Sequence, residues 1–274
     1  MIEILEPGPA ATVQDLGRAG YAALGVPRSG AFDRGALRLA NRLVGNPDGA
    51  AGIELTLGGL ALRFADPATV ALTGAACPGA PDHDAPVSLP AGAVLRLGTP
   101  ARGLRSYLAV RGGLAVPAVL GSRSTDTLSG LGPERLRAGD RLPVGTDGVG
   151  AVSPQAAAPP GPAPALRLRL GPRADWFTEQ ARTALLTTTW TVRADSDRIG
   201  VRLDGPALHR ARTGELPSEP MLPGALQVPP DGRPIVLGPD APVTGGYPVI
   251  AVLDDLDPVA QLRPGDAVRF AVSK

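Results

Sequence analysis

Short apolar runs bounded by glycine, proline or aspartate recur along this sequence, in which glycine and proline supply 36 and 31 of the 274 residues. Such bounded runs are typical of β-strands. The run Leu-Arg-Leu-Arg-Leu at 166–170 alternates strictly between apolar and charged residues, as a half-buried strand should. The predicted strands lie within 69–75, 93–98, 106–113, 166–171, 189–194 and 247–253.

Two segments have helical patterns instead. Residues 29–47 carry an apolar stripe with helical spacing, and either Ser29 or Asp33 can cap its start. Residues 174–186 form the second predicted helix, for which we expect Asp175 to be the N-cap. The sequence therefore predicts a mainly β protein with a few helices, arranged as two barrel-like domains that each pack at least one helix.

A stretch rich in glycine, proline and alanine separates the two predicted domains. It has few large apolar residues, so it is typical of a linker. We place an N-terminal β-barrel domain with one helix at 1–147, the linker at 148–165 and a C-terminal β-barrel domain at 166–274.

A weak repeat links the ends of these domains. Residues 135–145 and 261–270 each contain a Gly-Asp turn that leads into a short apolar run. The similarity is compatible with a common hairpin turn and with duplication of a domain.

Charge and residue usage exclude several classes of function. The formal net charge is +1 and no basic block is present, which argues against a nucleic-acid partner. The only lysine is Lys274, so the sequence has no internal lysine for a Schiff base, a phosphate-binding GxxxxGK[ST] loop or attached biotin. Any nucleotide or biotin site of those kinds is expected on another chain.

The remaining bulk features concern the cellular compartment. One cysteine, Cys77, cannot form an intramolecular disulfide, which fits a reducing compartment. The N-terminus lacks the pattern of a signal peptide, and no run approaches the roughly 18 apolar residues needed to span a bilayer. We expect a soluble cytoplasmic protein without membrane contacts.

The sequence gives little support for a nucleophilic catalytic triad or a metal site. The two histidines are His83 and His209, and the serines within 121–126 are not part of a GxSxG motif. His83 with Cys77 could ligate a metal, but a single histidine in a proline-rich polar loop is more often solvated. The sequence predicts no metal site.

Four loop-like stretches combine acidic, carboxamide and arginine side chains with glycine and proline. Aspartate, glutamate and glutamine can orient or deprotonate an amide, arginine can hold a carboxylate, and glycine lets backbone N–H groups approach a ligand. The same residues are typical of β-turns, so the pattern alone leaves a substrate site and ordinary turns both open. The stretches are 12–20, 195–205, 217–232 and 242–248.

Residues 12–59 closely resemble the opening of the carboxyltransferase-type family related to allophanate hydrolase subunit 2. The family contains the Kip-type antagonists of a sporulation kinase inhibitor, the C subunit of prokaryotic 5-oxoprolinase and part of the carboxyltransferase domain of urea carboxylase (urea amidolyase). Four further blocks match the family in the same order, at 120–132, 195–205, 218–237 and 243–253.

The chain departs from the family pattern at a few positions. Ile199 stands where the family usually has methionine, and Val201 where it has an aromatic residue. Pro242 lies at or near a position that is commonly glutamine, so a role for that glutamine is not carried over. Residues 128–133 are less glycine-rich than usual.

The resemblance implies a fold, partners and a reaction. It implies two cyclophilin-like β-barrel domains and a heteromer with a Kip inhibitor-like B subunit. In 5-oxoprolinase a third protein joins them, and the complex uses ATP to open the lactam of 5-oxoproline to glutamate. In urea carboxylase the related domain transfers a carboxyl group from carboxybiotin to a nitrogen of urea.

A free polypeptide of this size looks like the C subunit of an ATP-dependent 5-oxoprolinase that is inactive without its partners. Two alternatives stay open: a carboxyltransferase subunit of a biotin-dependent urea or amide carboxylase, and a non-catalytic regulator that binds a Kip-type kinase inhibitor. ATP would be used by the complex, at a site whose position the sequence does not reveal, and biotin would be needed only in the carboxylase.

The matching blocks also contain the candidate site residues, for which we expect arginine to bind a substrate carboxylate, an acid to act as base and glycine amides to stabilise an oxyanion. The predicted catalytic residues are Asp15, Arg18, Asp197 and Glu219. The predicted substrate-binding residues are Gln14, Arg198, Gln227, Thr244, Gly245, Gly246 and Tyr247, with Asp33 and Asn41 on the first helix as second-tier candidates.

Overall fold

The computed structural model of the chain describes residues 1–80, 82–146, 150–153 and 165–273. The chain forms two compact units, and two short segments from its first half belong to the second of them. Unit 1 comprises Met1–Arg18, Ser29–Asp126 and Gly130–Pro159, and unit 2 comprises Ala19–Arg28, Thr127–Ser129 and Pro160–Lys274. Strands dominate in both units, which confirms the predicted mainly β fold with a few helices.

The described residues of unit 1 form nine strands and one helix. Its strands form a five-stranded sheet in the order β2-β3-β8-β5-β6 and a four-stranded sheet in the order β7-β4-β1-β9, with antiparallel pairing throughout. Apolar side chains from both sheets share one core, as Ile4, Leu55 and Leu62 illustrate. The elements are β1 Ile2–Pro7, β2 Ala10–Gln14, α1 Arg34–Leu43, β3 Gly52–Thr56, β4 Leu60–Phe64, β5 Ala68–Gly74, β6 Pro86–Leu89, β7 Val94–Arg96, β8 Arg105–Val110 and β9 Arg141–Leu142.

Helix α1 packs against β5 and β8 through the apolar stripe seen in the sequence. Asp33 is its N-cap, because a side-chain oxygen of Asp33 accepts a hydrogen bond from the Ala36 amide at 2.8 Å. Of the two caps that the sequence allowed, the structure selects Asp33. The helix ends at Leu43, just before Gly45 adopts the left-handed conformation.

Unit 2 is built on a nearly closed barrel. Its eight-stranded sheet has the order β18-β11-β12-β15-β14-β17-β10-β19, and its two edge strands are neighbours in the sequence. A separate ribbon pairs β13 with β16. The elements are β10 Leu166–Leu170, α2 Glu179–Thr187, β11 Trp190–Val192, β12 Gly200–Asp204, β13 Glu219–Pro220, β14 Ala225–Gln227, β15 Ile235–Leu237, β16 Thr244–Gly245, β17 Val249–Leu253, α3 Asp257–Ala260, β18 Ala267–Val268 and β19 Phe270–Val272, with 3-10 helices at Ala22–Leu24 and Ala174–Trp176.

Helix α2 begins later than the sequence suggested. Its N-cap is Thr178, which accepts a hydrogen bond from the Ala181 amide at 3.1 Å. The prediction that Asp175 is the N-cap is wrong. Asp175 lies in the preceding 3-10 helix, and its carboxylate forms an ion pair with Arg212 at 2.6 Å. Phe177, in an extended conformation, separates the two helices, and the fully buried Trp190 donates its indole N–H to the Leu185 carbonyl of α2 at 3.2 Å.

The weak repeat corresponds to the same turn in each unit. The Asp140 carboxylate accepts a hydrogen bond from the Arg137 amide at 2.7 Å, just before β9. The Asp266 carboxylate accepts one from the Arg263 amide at 2.8 Å, just before β18. A common hairpin turn explains this shared geometry, which is equally compatible with duplication of a domain.

Part of the predicted linker is attached to unit 1. The Gly150 amide donates to the Gly45 carbonyl at 2.6 Å, and the Ser153 amide donates to the Leu43 carbonyl at 3.1 Å, so both bonds reach the end of α1. Residues 148, 149 and 154–164 of the linker lie outside the described residues, and the exact domain boundaries stay a prediction. In the described part of the chain, no helix combines the length and apolarity needed to cross a bilayer.

A buried polar network holds the start of α1 against the five-stranded sheet. The Tyr107 hydroxyl donates to a Glu54 carboxylate oxygen at 2.8 Å and accepts from the Asp33 amide at 2.7 Å. The same Glu54 oxygen accepts from the Phe32 amide at 2.9 Å, and the Arg105 guanidinium lies 4.3 Å from the Phe32 ring centre. Burial, reinforced by the negative charges of Glu54 and Asp33, raises the pKa of Tyr107 well above its usual range.

We expect Tyr107→Phe to lower the free energy of unfolding by about 1–3 kcal/mol at neutral pH, because Glu54 and the Asp33 amide lose a buried partner. A phenol with a raised pKa contributes stability that is fully present below the unfolded pKa and is lost as pH rises through the folded pKa. The wild type should therefore lose stability above about pH 10, and the variant should lose less. Urea unfolding followed by circular dichroism at pH 7 and pH 11 measures both effects.

Tyr21→Phe is the matched control, since Tyr21 lies in a partly exposed turn, and it should behave as the wild type. A Tyr107→Phe protein with wild-type stability at both pH values would contradict the structural role of this network.

Candidate functional site

The loop after β2 is organised by the carboxylate of Asp15, which is 7% exposed. One of its oxygens accepts hydrogen bonds from the Ser122 hydroxyl at 2.7 Å, the Ser124 hydroxyl at 2.5 Å and the Gly17 amide at 2.7 Å. The other oxygen accepts from the Arg123 amide at 2.6 Å. Two of the sequence blocks, 12–59 and 120–132, therefore meet in unit 1 at this carboxylate.

Arg18 is buried beside the same segment. One of its terminal nitrogens donates to the Ser124 carbonyl at 2.6 Å, and the other lies 4.0 Å from an Asp126 carboxylate oxygen. Within the described residues, Nε and Nη1 of Arg18 have no hydrogen-bond acceptor. Two nitrogens of the guanidinium thus donate no hydrogen bond within the part of the chain that the structure describes.

Gln14 completes this group. Its amide nitrogen donates to the Thr12 hydroxyl at 3.1 Å and to the Thr125 carbonyl at 2.9 Å. The Gln14 carbonyl oxygen and the Thr125 hydroxyl are buried, and neither has a hydrogen-bond partner in the described part of the protein. We call Gln14, Asp15, Arg18, Ser124 and Thr125 the first-loop cluster. Buried polar atoms are nearly always satisfied, so this cluster is suited to accept a polar ligand group or ordered water.

The chain at Ser29–Ala31 packs directly on this loop. The Ala31 amide donates to the Asp15 carbonyl at 2.9 Å, and the Ser29 hydroxyl donates to the Thr125 carbonyl at 3.2 Å. Gly30 has a φ of 95°, and a β-carbon there would lie 2.8 Å from the Gly17 amide nitrogen. Only glycine allows the two backbones to approach this closely.

The second-tier candidates on α1 have structural contacts. Asp33 caps the helix. The Asn41 side chain is fully buried; it donates to the Ala50 carbonyl at 2.8 Å and accepts from the Asn46 amide group at 3.1 Å. These bonds fold the chain after α1, and the predicted substrate-binding role of Asp33 and Asn41 gains no support from this geometry.

The second stretch contains a turn and a buried ion pair. Asp197 accepts hydrogen bonds from the Ile199 and Gly200 amides at 2.8 and 3.0 Å, so its carboxylate closes a turn before β12. Arg198, which is 8% exposed, donates to both carboxylate oxygens of the fully buried Asp240 at 2.8 and 2.9 Å. The Thr127 amide and hydroxyl donate to Asp240 as well, at 3.0 and 2.8 Å.

A substrate carboxylate would have to compete with Asp240 for Arg198 inside this network. The geometry therefore favours a structural role for Arg198 and Asp197. Their predicted roles in binding and catalysis stay predictions. Sequence reasoning did not select Asp240, because nothing local reveals its pairing with Arg198.

The third and fourth stretches come together in unit 2. The β13–β16 ribbon places Glu219 opposite Gly245 and Pro220 opposite Thr244. From the adjacent β14, the Gln227 amide nitrogen donates to the Tyr247 carbonyl at 3.3 Å. Four residues predicted for the site, Glu219, Gln227, Gly245 and Tyr247, are thus brought together, and the Tyr247 side chain is exposed.

Gly245 has a steric reason to be glycine. A β-carbon at this position would lie 2.7 Å from the Gln227 amide nitrogen and 3.3 Å from a side-chain carbon of Met221. Any larger residue would displace the Gln227 carboxamide from its place beside the ribbon. Gly246, the next residue, is exposed.

Arg173 joins this group, although no sequence pattern singled it out. It follows β10 and the Gly-Pro pair at 171–172, and its Nε donates to a Glu219 carboxylate oxygen at 3.1 Å. A terminal nitrogen of Arg173 contacts the other oxygen of Glu219, so the pair is bidentate. We call Arg173, Glu219, Gln227, Gly245 and Tyr247 the ribbon cluster.

The Arg173–Glu219 pair sets the electrostatics of the ribbon cluster. The hydrogen bonds from Arg173 hold the pKa of Glu219 below its usual value, and those to Glu219 raise the pKa of Arg173. Glu219 is therefore a carboxylate near neutral pH, and its hydrogen bonds to Arg173 make it a weaker base than an unpaired carboxylate. Among the described residues, no three His, Cys, Asp or Glu side chains are grouped to hold a metal ion.

Comparison with known proteins places the chain in a family. Residues 24–272 match the family described as the carboxyltransferase domain, subdomain A and B. The chain belongs to this carboxyltransferase-domain family. The resemblance drawn from the ordered sequence blocks is thereby confirmed.

Individual relatives support the same family. The C subunit of 5-oxoprolinase from Escherichia coli (strain K12) is 40% identical over 98% of this chain and 90% of its own length. The protein of the same name from Haemophilus influenzae is 36% identical with the same coverage. The crystal structure of the K. lactis urea amidolyase superposes on this carboxyltransferase-domain chain with a TM-score of 0.92 and 31% identity. That match covers the whole of this chain and 19% of the K. lactis chain.

We expect Asp15→Asn to lower the free energy of unfolding by about 2–3 kcal/mol. The amide group places a donor where the carboxylate accepts, so buried hydroxyl or amide donors of the 122–124 segment lose their partner. Urea denaturation followed by circular dichroism measures the loss.

Asp197→Asn is the matched control, because an asparagine carbonyl oxygen can still accept from the two amides of that turn. It should change the free energy of unfolding by less than about 0.5 kcal/mol. Equal effects of the two substitutions would contradict the organising role of Asp15.

Proposed function

We propose that this carboxyltransferase-domain protein is the C subunit of an ATP-dependent 5-oxoprolinase complex, which hydrolyses 5-oxoproline to glutamate. The observation that carries the proposal is the match to two proteins named as this component of 5-oxoprolinase, at 40% and 36% identity over 90% of their length. The proposed partners are a Kip inhibitor-like B subunit and a third 5-oxoprolinase component. The chain is proposed to have little activity without them.

The ribbon cluster offers groups suited to lactam opening. When water attacks a lactam carbonyl, the oxygen gains negative charge, the C–N bond breaks and the nitrogen gains a proton. The Gln227 carboxamide and the backbone at Gly245–Tyr247 are proposed to orient the lactam. Glu219, once released from Arg173, is proposed to take the proton from water and return it to the leaving nitrogen.

The first-loop cluster is proposed to bind a polar end of a ligand within unit 1. Among the described residues, two Arg18 nitrogens have no acceptor and the Gln14 carbonyl oxygen has no donor, which together match a group that both accepts and donates hydrogen bonds. Asp15 is proposed to act as a positioning residue, because the four hydrogen bonds that its carboxylate accepts all come from described residues of the chain itself. A direct catalytic role for Asp15 would require the loss of some of these bonds.

The residues of this chain do not fit a lysine-dependent phosphate-binding loop. The only lysine is Lys274, and no GxxxxGK[ST] motif is present. The first-loop cluster has the carboxylates of Asp15 and Asp126 near its arginine, which disfavours a polyphosphate. We therefore place the proposed ATP site on a partner protein, and no step of the proposed mechanism on this chain involves ATP.

A second candidate is a carboxyltransferase subunit that acts on urea or another amide with biotin supplied by another chain. The observation that favours it is the TM-score of 0.92 to the K. lactis urea amidolyase. That protein is much longer, and this chain spans about a fifth of it, so its activity as a whole is not carried over. Biotin would have to arrive on another chain, because this sequence has no internal lysine to carry it.

The test is co-expression of the chain with its genomic neighbours and measurement of glutamate released from 5-oxoproline. We expect release to require ATP, the complete complex and no biotin, so that added avidin leaves the rate unchanged. The chain alone should release little glutamate, because the nucleotide site is proposed to lie elsewhere.

Three outcomes would overturn parts of this proposal. Robust ATP-dependent hydrolysis by the isolated chain would contradict the shared site. Inhibition by avidin together with carboxylation of urea would favour the carboxyltransferase. Absence of 5-oxoproline turnover in every reconstituted complex would reject the 5-oxoprolinase assignment.

A further inference from the structure

Arg173 is held in place by the backbone as well as by Glu219. The Arg173 amide donates to the Val249 carbonyl at 3.2 Å, and the Gly171 amide donates to the Ile250 carbonyl at 2.8 Å. These bonds fix the chain after β10 along the start of β17, two residues beyond Tyr247. The backbone hydrogen bonds to β17 therefore hold Arg173 in place within the ribbon cluster.

Two of the bidentate arginine–carboxylate pairs in unit 2, Arg198–Asp240 and Arg173–Glu219, differ in their access to solvent. The side chains of Arg198 and Asp240 are 8% and 0% exposed, whereas those of Arg173 and Glu219 are 36% and 22% exposed. Separating a buried pair leaves an uncompensated charge, whereas a pair that solvent partly reaches contributes less stability and is easier to open. Arg173 is thus an arginine of the ribbon cluster that a dissolved anion can reach.

We propose that Arg173 is a specificity residue that binds the carboxylate of the substrate, and that Glu219 occupies the guanidinium until the substrate carboxylate replaces it. This inference rests on the proposed function and names the substrate class: amides or lactams that carry a carboxylate. Arg173 keeps two charge-assisted hydrogen bonds in this exchange, because the bidentate pair with Glu219 is replaced by a bidentate pair with the substrate carboxylate.

The exchange has two consequences at the ribbon. The released Glu219 carboxylate loses the hydrogen bonds that lower its pKa, so it becomes a stronger base opposite Gly245. A neutral amide such as urea has no carboxylate and leaves the Arg173–Glu219 pair closed. The pair therefore selects acidic amides over neutral amides of similar size.

The test uses the full chain in its complex and compares 5-oxoproline with 2-pyrrolidinone, the same lactam ring without the carboxylate. We expect Arg173→Gln to raise KM for 5-oxoproline about tenfold or more, with a smaller change in kcat, and Arg173→Lys to recover part of the loss. Binding of 2-pyrrolidinone should be unchanged in Arg173→Gln. Arg193→Gln is the matched control, since Arg193 forms a bidentate pair with Asp195, at 3.0 Å for both bonds, away from the ribbon.

Direct binding to the full chain separates this inference from the proposed function. Ligand-observed NMR with 5-oxoproline should show binding to the wild type and to Arg193→Gln, and loss of binding in Arg173→Gln. If this pattern holds while no complex hydrolyses 5-oxoproline, the carboxylate site stands and the 5-oxoprolinase assignment fails. If complexes turn over 5-oxoproline with the same KM in wild type and Arg173→Gln, or if neither protein binds it, the role of Arg173 is overturned.

Discussion

The local structure of unit 1 around the first loop depends on the hydrogen bonds that the Asp15 carboxylate accepts. This carboxylate joins the loop after β2 to a segment more than 100 positions later by accepting from Ser122, Arg123 and Ser124. Without it, the Arg123 amide and one of the two serine hydroxyls would lose their acceptor, since Ser122 and Ser124 lie 2.8 Å apart and can share one hydrogen bond. Each buried donor left without an acceptor costs about 1–3 kcal/mol. The positions of Arg18 and Gln14 follow from it, because both donate to carbonyl groups of the segment that Asp15 holds.

Unit 2 uses the same chemistry in two ways. Arg198 and Asp240 are buried, and Thr127 donates to the same carboxylate, so this pair fixes the local conformation. Arg173 and Glu219 also form a bidentate ion pair, but solvent reaches both of their side chains. The two pairs differ in how easily they separate because they differ in burial. Separating Arg198 from Asp240 would leave buried charges without a partner. Separating Arg173 from Glu219 costs less, because water can solvate both groups.

Local sequence patterns predicted the elements of the fold better than the partners of individual side chains. The bounded apolar runs located β5, β8, β10 and β17, and the apolar stripe located α1, because these depend on nearest-neighbour periodicity. Asp175 failed as a cap because Phe177 interrupts the helical backbone after it, which no local preference indicated. The sequence blocks identified the family and most of the ribbon cluster.

Other side-chain partners could not be predicted because they are set by strand pairing. Arg173 and Glu219 are 46 positions apart, and Arg198 and Asp240 are 42 positions apart. No local signal distinguishes the arginine that is locked in a network from the one that solvent can reach. That distinction appears only when the barrel fixes which residues are covered.

The burial of Trp190, the first residue of β11, against helix α2 has a spectroscopic consequence. Both tryptophans of the chain, Trp176 and Trp190, lie in unit 2, and Trp190 is completely enclosed there. Emission excited at the red edge of tryptophan absorption therefore arises from unit 2 alone, and unit 1 is dark at that wavelength. The chain carries an intrinsic optical label that reports the unfolding of one unit independently of the other.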